Sequence, residues 1–224
     1  MVGDEAAAPV RETTIDAAAR AMIDDGVAVL RRGGVVAYPT ETVYGLGVDA
    51  ANRAALARLF ALKGRRSGSG MSVLVRDLAM ASRLLAAEPP AGAIALARAF
   101  WPGPLTMVLG AAADLAPQLC GAGGGVGLRC SSDAWACALV EGFAAAITST
   151  SANPSGAEPA RSAAQARAYF PRGVDAFVDG GPRRGSEVSS VVEFLHGRAY
   201  LRRVGAIDAA ALAAVTDLTE EVRG

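Results

Sequence analysis

Three cations fall within four residues at Lys63-Gly64-Arg65-Arg66. A lysine ammonium is a point charge and an arginine is a planar fork, so the group suits the oxygens of a polyphosphate. Of the 22 basic residues Lys63 alone is lysine. The stretch is not a Walker A loop, because G-x-x-x-x-G-K-[ST] is absent, and it reads also as a solvated basic loop. A second stretch, Pro39-Thr-Glu-Thr42-Val-Tyr-Gly45-Leu-Gly47, sets two hydroxyls and two glycines directly after an apolar run. Ligands of α/β sheets lie beyond the carboxyl ends of strands, and glycine lets backbone approach them. An ordinary strand-turn-strand fits the same residues. A third, Gly121 to Gly125 followed by Val-Gly-Leu-Arg129, offers backbone N–H groups and a guanidinium to an anion, without the spacing of a dinucleotide fingerprint. A fourth, Thr148-Ser-Thr-Ser151-Ala-Asn153-Pro-Ser-Gly156, is a dense run of neutral hydrogen-bonding groups suited to phosphate or ribose, or simply a polar loop.

Several chemistries are excluded or weakened. The single histidine, His196, rules out a histidine-rich metal site, and no histidine stands in the hydroxyl run to activate a serine. Cys120, Cys130 and Cys137 form no C-x-x-C pair, and their odd number argues against a disulfide framework. Acids and bases balance at 22 each, so net charge gives no argument for a nucleic-acid or membrane partner. The N-terminus is acidic and rich in small residues, unlike a secretory signal. No apolar stretch reaches the roughly 18 residues of a membrane span. A cytoplasmic protein is expected.

These segments need a frame to hold them. Apolar spacing predicts helices over 14–25, 52–62, 78–87, 91–100, 132–143, 162–170 and 208–215. Short apolar runs predict strands over 35–38, 72–75, 105–109, 126–129, 146–148, 176–179, 190–194 and 199–203. The irregular alternation suggests one α/β domain with a mixed parallel and antiparallel sheet flanked by helices. Residues 1–12 read as a flexible tail, 13–215 as the domain and 216–224 as a second tail.

The order PTETVYGLG, KGR, FWPGPLT, the strand ending at Arg129, STSANPSG, Ser189-Ser-Val-Val-Glu193 and Leu201-Arg-Arg203-Val-Gly-Ala-Ile207 resembles the YrdC-like family of threonylcarbamoyl-AMP synthases. The likeness runs from about residue 15 to 207, and PTETVYGLG and STSANPSG are specific together. The resemblance implies a reaction: the amine of L-threonine captures CO2 from bicarbonate, and the carbamate attacks the α-phosphorus of ATP. Pyrophosphate leaves. Mg2+ would be carried mainly by the phosphates. Partner proteins would then transfer the threonylcarbamoyl group to a tRNA adenosine, with contact to tRNA or double-stranded RNA as a further expectation. By the same resemblance Lys63 and Arg65 face the ATP phosphates and carry catalysis. Ser69, Gly125, Ser151, Asn153, Pro159 and Arg203 line the nucleotide. Thr40, Thr42, Leu74, Arg129, Ser149 and Ser189 hold the amino acid, Arg129 taking its carboxylate. The 64–70 segment is a candidate lid.

The chain departs from the family pattern in two places. The family usually reads K-x-R-P, a polar spacer, then N-P-L-x-V-H. Here Arg66 replaces the first proline, Ser69 the asparagine, Gly70 the second proline and Leu74 the histidine. Loss of two prolines should loosen the segment. After Arg129 the family commonly reads R-x-P-x-H-P, against Arg129-Cys-Ser-Ser-Asp-Ala134 here. Two alternatives follow: a paralogue that adenylates a different amino acid or carbamate, and a non-catalytic RNA-binding member.

Overall fold

Side-chain caps start most of the helices. Asp16, Asn52, Asp77, Asp133, Ser162 and Asp208 each accept a backbone N–H of the first turn that follows. The helices they open are α1 (Ala17–Arg31), α2 (Arg53–Leu62), α3 (Leu78–Ser82), α5 (Ala134–Phe143), α6 (Ala163–Tyr169) and α7 (Ala209–Ala213); α4 (Ala91–Phe100) begins after Pro90 without such a cap. The structure is a computed structural model that describes residues 15–64, 70–183 and 188–220.

Eleven strands are present among the described residues: β1 (Val36–Pro39), β2 (Tyr44–Gly47), β3 (Val73–Leu74), β4 (Leu105–Gly110), β5 (Gly125–Arg129), β6 (Ile147–Thr148), β7 (Thr150–Ser151), β8 (Ala176–Phe177), β9 (Ser190–Leu195), β10 (Arg198–Arg203) and β11 (Leu218–Glu220). They make two mixed sheets, where the sequence suggested one. Four strands run in the order β7-β2-β1-β8, and seven in the order β11-β10-β9-β4-β5-β3-β6. The chain passes from the larger sheet to the smaller at Ser149, the single residue between β6 and β7. Its N–H donates to Ser72 O at 2.6 Å, while Thr148 N–H donates to Val48 O at 2.9 Å, so both sheets grip the crossing.

The core explains where elements run past their predicted ends. Helix α1 continues past residue 25, its predicted end, through Gly26 to Arg31. A Cβ at Gly26 would meet Leu139 at 3.1 Å and Val178 at 3.2 Å, so the missing side chain lets α1 pack closely on α5 and the end of β8. Helix α3 is shorter than predicted, because Ala86 N–H donates instead to Gly110 O and Leu85 bridges to Ala111. Residues 218–220, expected in a tail, add a parallel strand to β10. The expected tail at 1–12 lies outside the described residues.

Candidate active site

Several separate segments converge where the two sheets meet, those of Thr106 in β4 and of Pro159 among them. The others are the β1–β2 turn, the start of β3, the end of β5, the 149–151 crossing and the β9–β10 pair. Together they enclose a cavity of about 260 Å3 whose wall includes Thr40, Thr42, Arg129, Ser149, Ser189 and Arg203. That volume lies near the lower end of the range for small-molecule sites, roughly 300–1,000 Å3.

The β1–β2 turn is organised by Thr40. Its hydroxyl donates to Val43 O at 2.7 Å and lies 3.3 Å from the N–H groups of Thr42 and Val43. With that proton committed, the 3.0 Å contact between the two hydroxyls has Thr42 donating to Thr40. Arg129 Nη2 in turn donates to Thr42 Oγ1 at 2.9 Å. The relay from Arg129 through Thr42 to Thr40 therefore uses up both hydroxyl protons; Thr40 Oγ1 is also filled by the two N–H groups, and Thr42 Oγ1 keeps one lone pair as an acceptor.

Arg129 is buried at the end of β5, aligned with Thr106 on one neighbour strand and Leu74 on the other. Its Nη2 lies 3.1 Å from Glu41 Oε1. That contact is an ion pair without hydrogen-bond alignment, since Glu41 Oε1 has no hydrogen-bond partner. Arg129 Nε is buried and also has no partner. A buried guanidinium N–H without an acceptor is costly.

On the opposite wall, Arg203 Nε donates to Ser189 O at 2.9 Å and Nη2 to Ser189 Oγ at 3.1 Å. Thr106 Oγ1 lies 2.9 Å from Ser189 Oγ. Although Arg203 keeps an exposed surface, the protein packed around it and then the positive Arg129 lower its pKa. No carboxylate pairs with Arg203 among the described residues. The cavity thus holds two guanidiniums within electrostatic reach, with Glu41 compensating only one. It is built for an anion.

The remaining predicted residues are distributed unevenly. Ser151 and Pro159 lie on the cavity wall with the residues named above. Lys63 and Asn153 lie off the wall: Lys63 is buried, and its ammonium donates to the backbone carbonyls of Ser151 and of Asn153, the latter at 2.8 Å. Gly125 sits at the far end of β5 from Arg129, paired with Gly110. Leu74 is buried in the core and lines a separate cavity of about 100 Å3 with Cys130, Ser131 and Cys137. It therefore forms no wall beside Arg129, because the β3 backbone turns it toward α5. Arg65 and Ser69 lie outside the described residues. Sequence reading overlooked Tyr44, Ser72, Thr106 and Thr150 on the wall, and Glu41 and Ser131 behind it. Glu41 and Tyr44 stood within the Pro39–Gly47 stretch and Thr150 within the hydroxyl run, so their segments carried the signal, whereas Ser72, Thr106 and Ser131 had none.

No group of three or more His, Cys, Asp or Glu among the described residues could hold a metal ion. Glu41, the carboxylate behind the wall, is already engaged by Arg129 and Ser131.

Known proteins resemble this chain in sequence and in fold. The Sua5/YciO/YrdC family model, described as telomere recombination, matches residues 28–205. The threonylcarbamoyl-AMP synthase of Halorhodospira halophila is 43% identical over 176 residues, covering 79% of this chain and 91% of that protein. The synthase of Thiobacillus denitrificans is 45% identical over 143 residues, covering 64% of this chain and 76% of that protein. P. abyssi Sua5, solved in complex with L-threonine, is similar with a TM-score of 0.81 and 31% identity over 88% of this chain. This chain spans 58% of the length of that solved protein.

Proposed function

The chain belongs to the Sua5/YciO/YrdC family, and from that premise we propose that it forms threonylcarbamoyl-AMP from L-threonine, bicarbonate and ATP, releasing pyrophosphate. The observation that carries this reading is the placement of two guanidiniums, Arg129 and Arg203, on the wall of one cavity with Glu41 the carboxylate beside Arg129. A threonine carboxylate takes up the charge of Arg129 that Glu41 balances only in part, and a charge-assisted bond from the guanidinium sets its orientation. The free lone pair of Thr42 then faces the amine, which donates to it, with Thr40 holding Thr42 in place, while Ser149 and Ser189 close the amino-acid side.

The amine, once deprotonated, adds to CO2 derived from bicarbonate and loses a proton to give a carbamate. A carbamate oxygen attacks the α-phosphorus, the bond to the bridging oxygen breaks, and pyrophosphate departs with the electron pair. The protein's part is to hold two anions in line against their repulsion. Arg203 faces the phosphates from one wall. Lys63 and Arg65 serve them from the α2 end, with Ser69, Gly125, Ser151, Asn153 and Pro159 around the nucleotide. Mg2+ travels with ATP as part of the substrate. Leu74 receives no role in this arrangement. Partner transferases consume the product on a tRNA adenosine.

The test is pyrophosphate release from ATP and bicarbonate with a panel of amino acids and product masses recorded. Release with threonine, and a product of the mass of threonylcarbamoyl-AMP, is expected. Release only with another amino acid overturns the substrate assignment, and no release with any of them overturns the activity.

A further inference from the structure

We infer that Ser131 is a positioning residue for the amino-acid side of this site: by holding one oxygen of Glu41 it keeps Arg129 available to a ligand carboxylate. Ser131 is 2% exposed and does not reach the cavity wall. Its hydroxyl donates to Glu41 Oε2 and lies 3.2 Å from the N–H of Asp133. The seat is firm. Asp133 caps α5 through the N–H groups of Trp135 and Ala136 and pairs with Arg183 at 2.9 Å. Cys137 Sγ donates to Ser131 O at 3.0 Å.

The consequence lies in what Glu41 is prevented from doing. A carboxylate beside a guanidinium prefers the two-pronged arrangement, in which both oxygens accept parallel N–H groups. Glu41 offers Arg129 one oxygen only, at 3.1 Å and out of hydrogen-bond alignment. Ser131 occupies the other. Arg129 therefore aims Nη2 at Thr42 Oγ1 and leaves Nε without a protein acceptor. Without the Ser131 hydroxyl, Glu41 turns its second oxygen to Arg129 and competes with the incoming carboxylate.

The kinetic readout rests on the function proposed above, so it is paired with one that does not. In Ser131→Ala, the KM for threonine rises about tenfold while the KM for ATP and kcat stay within about twofold. Ser131→Thr, which keeps the hydroxyl, restores the threonine KM. In a Glu41→Gln background, Ser131→Ala adds no further change, because its effect passes through Glu41. The separate readout is the 15N resonance of Arg129 Nε in the ligand-free protein, which moves on Ser131→Ala as the guanidinium becomes paired. Should Ser131→Ala not fold, Ser131→Cys carries the same expectations with a weaker donor. An unmoved Arg129 resonance, an equal rise in both KM values, or additive effects of the two substitutions overturns the inference. A wild-type protein inactive with threonine overturns the proposed function instead, and the resonance still decides the role of Ser131.

Discussion

Lys63 and Asn153 lie 90 positions apart in the chain, and the ammonium of the first donates to the backbone carbonyl of the second at 2.8 Å. The same ammonium reaches Ser151 O, and Ser155 returns the contact by donating its hydroxyl to Lys63 O at 2.9 Å. The end of α2 is thereby fastened to the hydroxyl-rich loop after β7.

Lys63→Met is expected to leave the buried Asn153 carbonyl without its donor, while Ser151 O keeps the N–H of Asn153 at 3.0 Å, at a cost of about 1–3 kcal/mol. The urea midpoint should fall with an unchanged slope. Under the proposed function the affinity for ATP should fall as well. A variant with the wild-type midpoint would show that the fastening contributes nothing.

Arg129→Lys keeps the charge but loses the fork and its contact with Thr42. Threonine affinity should weaken on the order of 10- to 100-fold, about 1.4–2.8 kcal/mol, with ATP affinity little altered. Calorimetric titration with each ligand separates the two effects, and equal losses for both would contradict a role confined to the amino acid.

Gly205→Ala tests the far wall. A Cβ there would lie 2.2 Å from Val188 O and 2.8 Å from Ser189 O, both backbone atoms. The strand start must shift, and Ser189 with it, which releases Arg203. Overpacking of this kind costs roughly 1–3 kcal/mol. Thermal unfolding should move down and ligand binding should weaken; a variant with native stability and binding would show that the wall adapts.

Alkaline stability follows from buried acids that ionise late. Burial pushes Cys130 up to about 11, and Cys137, Tyr38 and Tyr44 to about 12. In the unfolded chain thiols ionise near about 8.5 and phenols near about 10. The folded protein therefore retains these protons to higher pH. Their stabilising contribution is complete below about pH 8.5 and is lost as pH rises toward about 12. Urea midpoints measured from pH 8 to 11 should fall steadily, and less steeply in Cys137→Ala; a flat profile would contradict the burial of these groups.

Much of the fold was legible because its signals are local. Asn52 announces a helix through an amide oxygen set before an apolar face, and Val35 to Tyr38 announces a buried strand. Helix α1 was misread at Gly26 because the reason for that glycine lies on Leu139 and Val178, far along the chain. The two-residue strands β3, β6 and β7 carry no periodicity, so neither their pairing nor the division into two sheets could be read.

The candidate site divides in the same way. Residue order by itself determined which segments carry cations, hydroxyls and glycines, and their sequence along the chain pointed to the family. Only the tertiary structure decided that Thr42 accepts from Arg129, that Ser131 holds Glu41, and that Leu74 faces α5 rather than the cavity. The physical reason is that a residue's type sets what bond it can make, whereas its partner is chosen by strand register and helix packing between segments tens of residues apart.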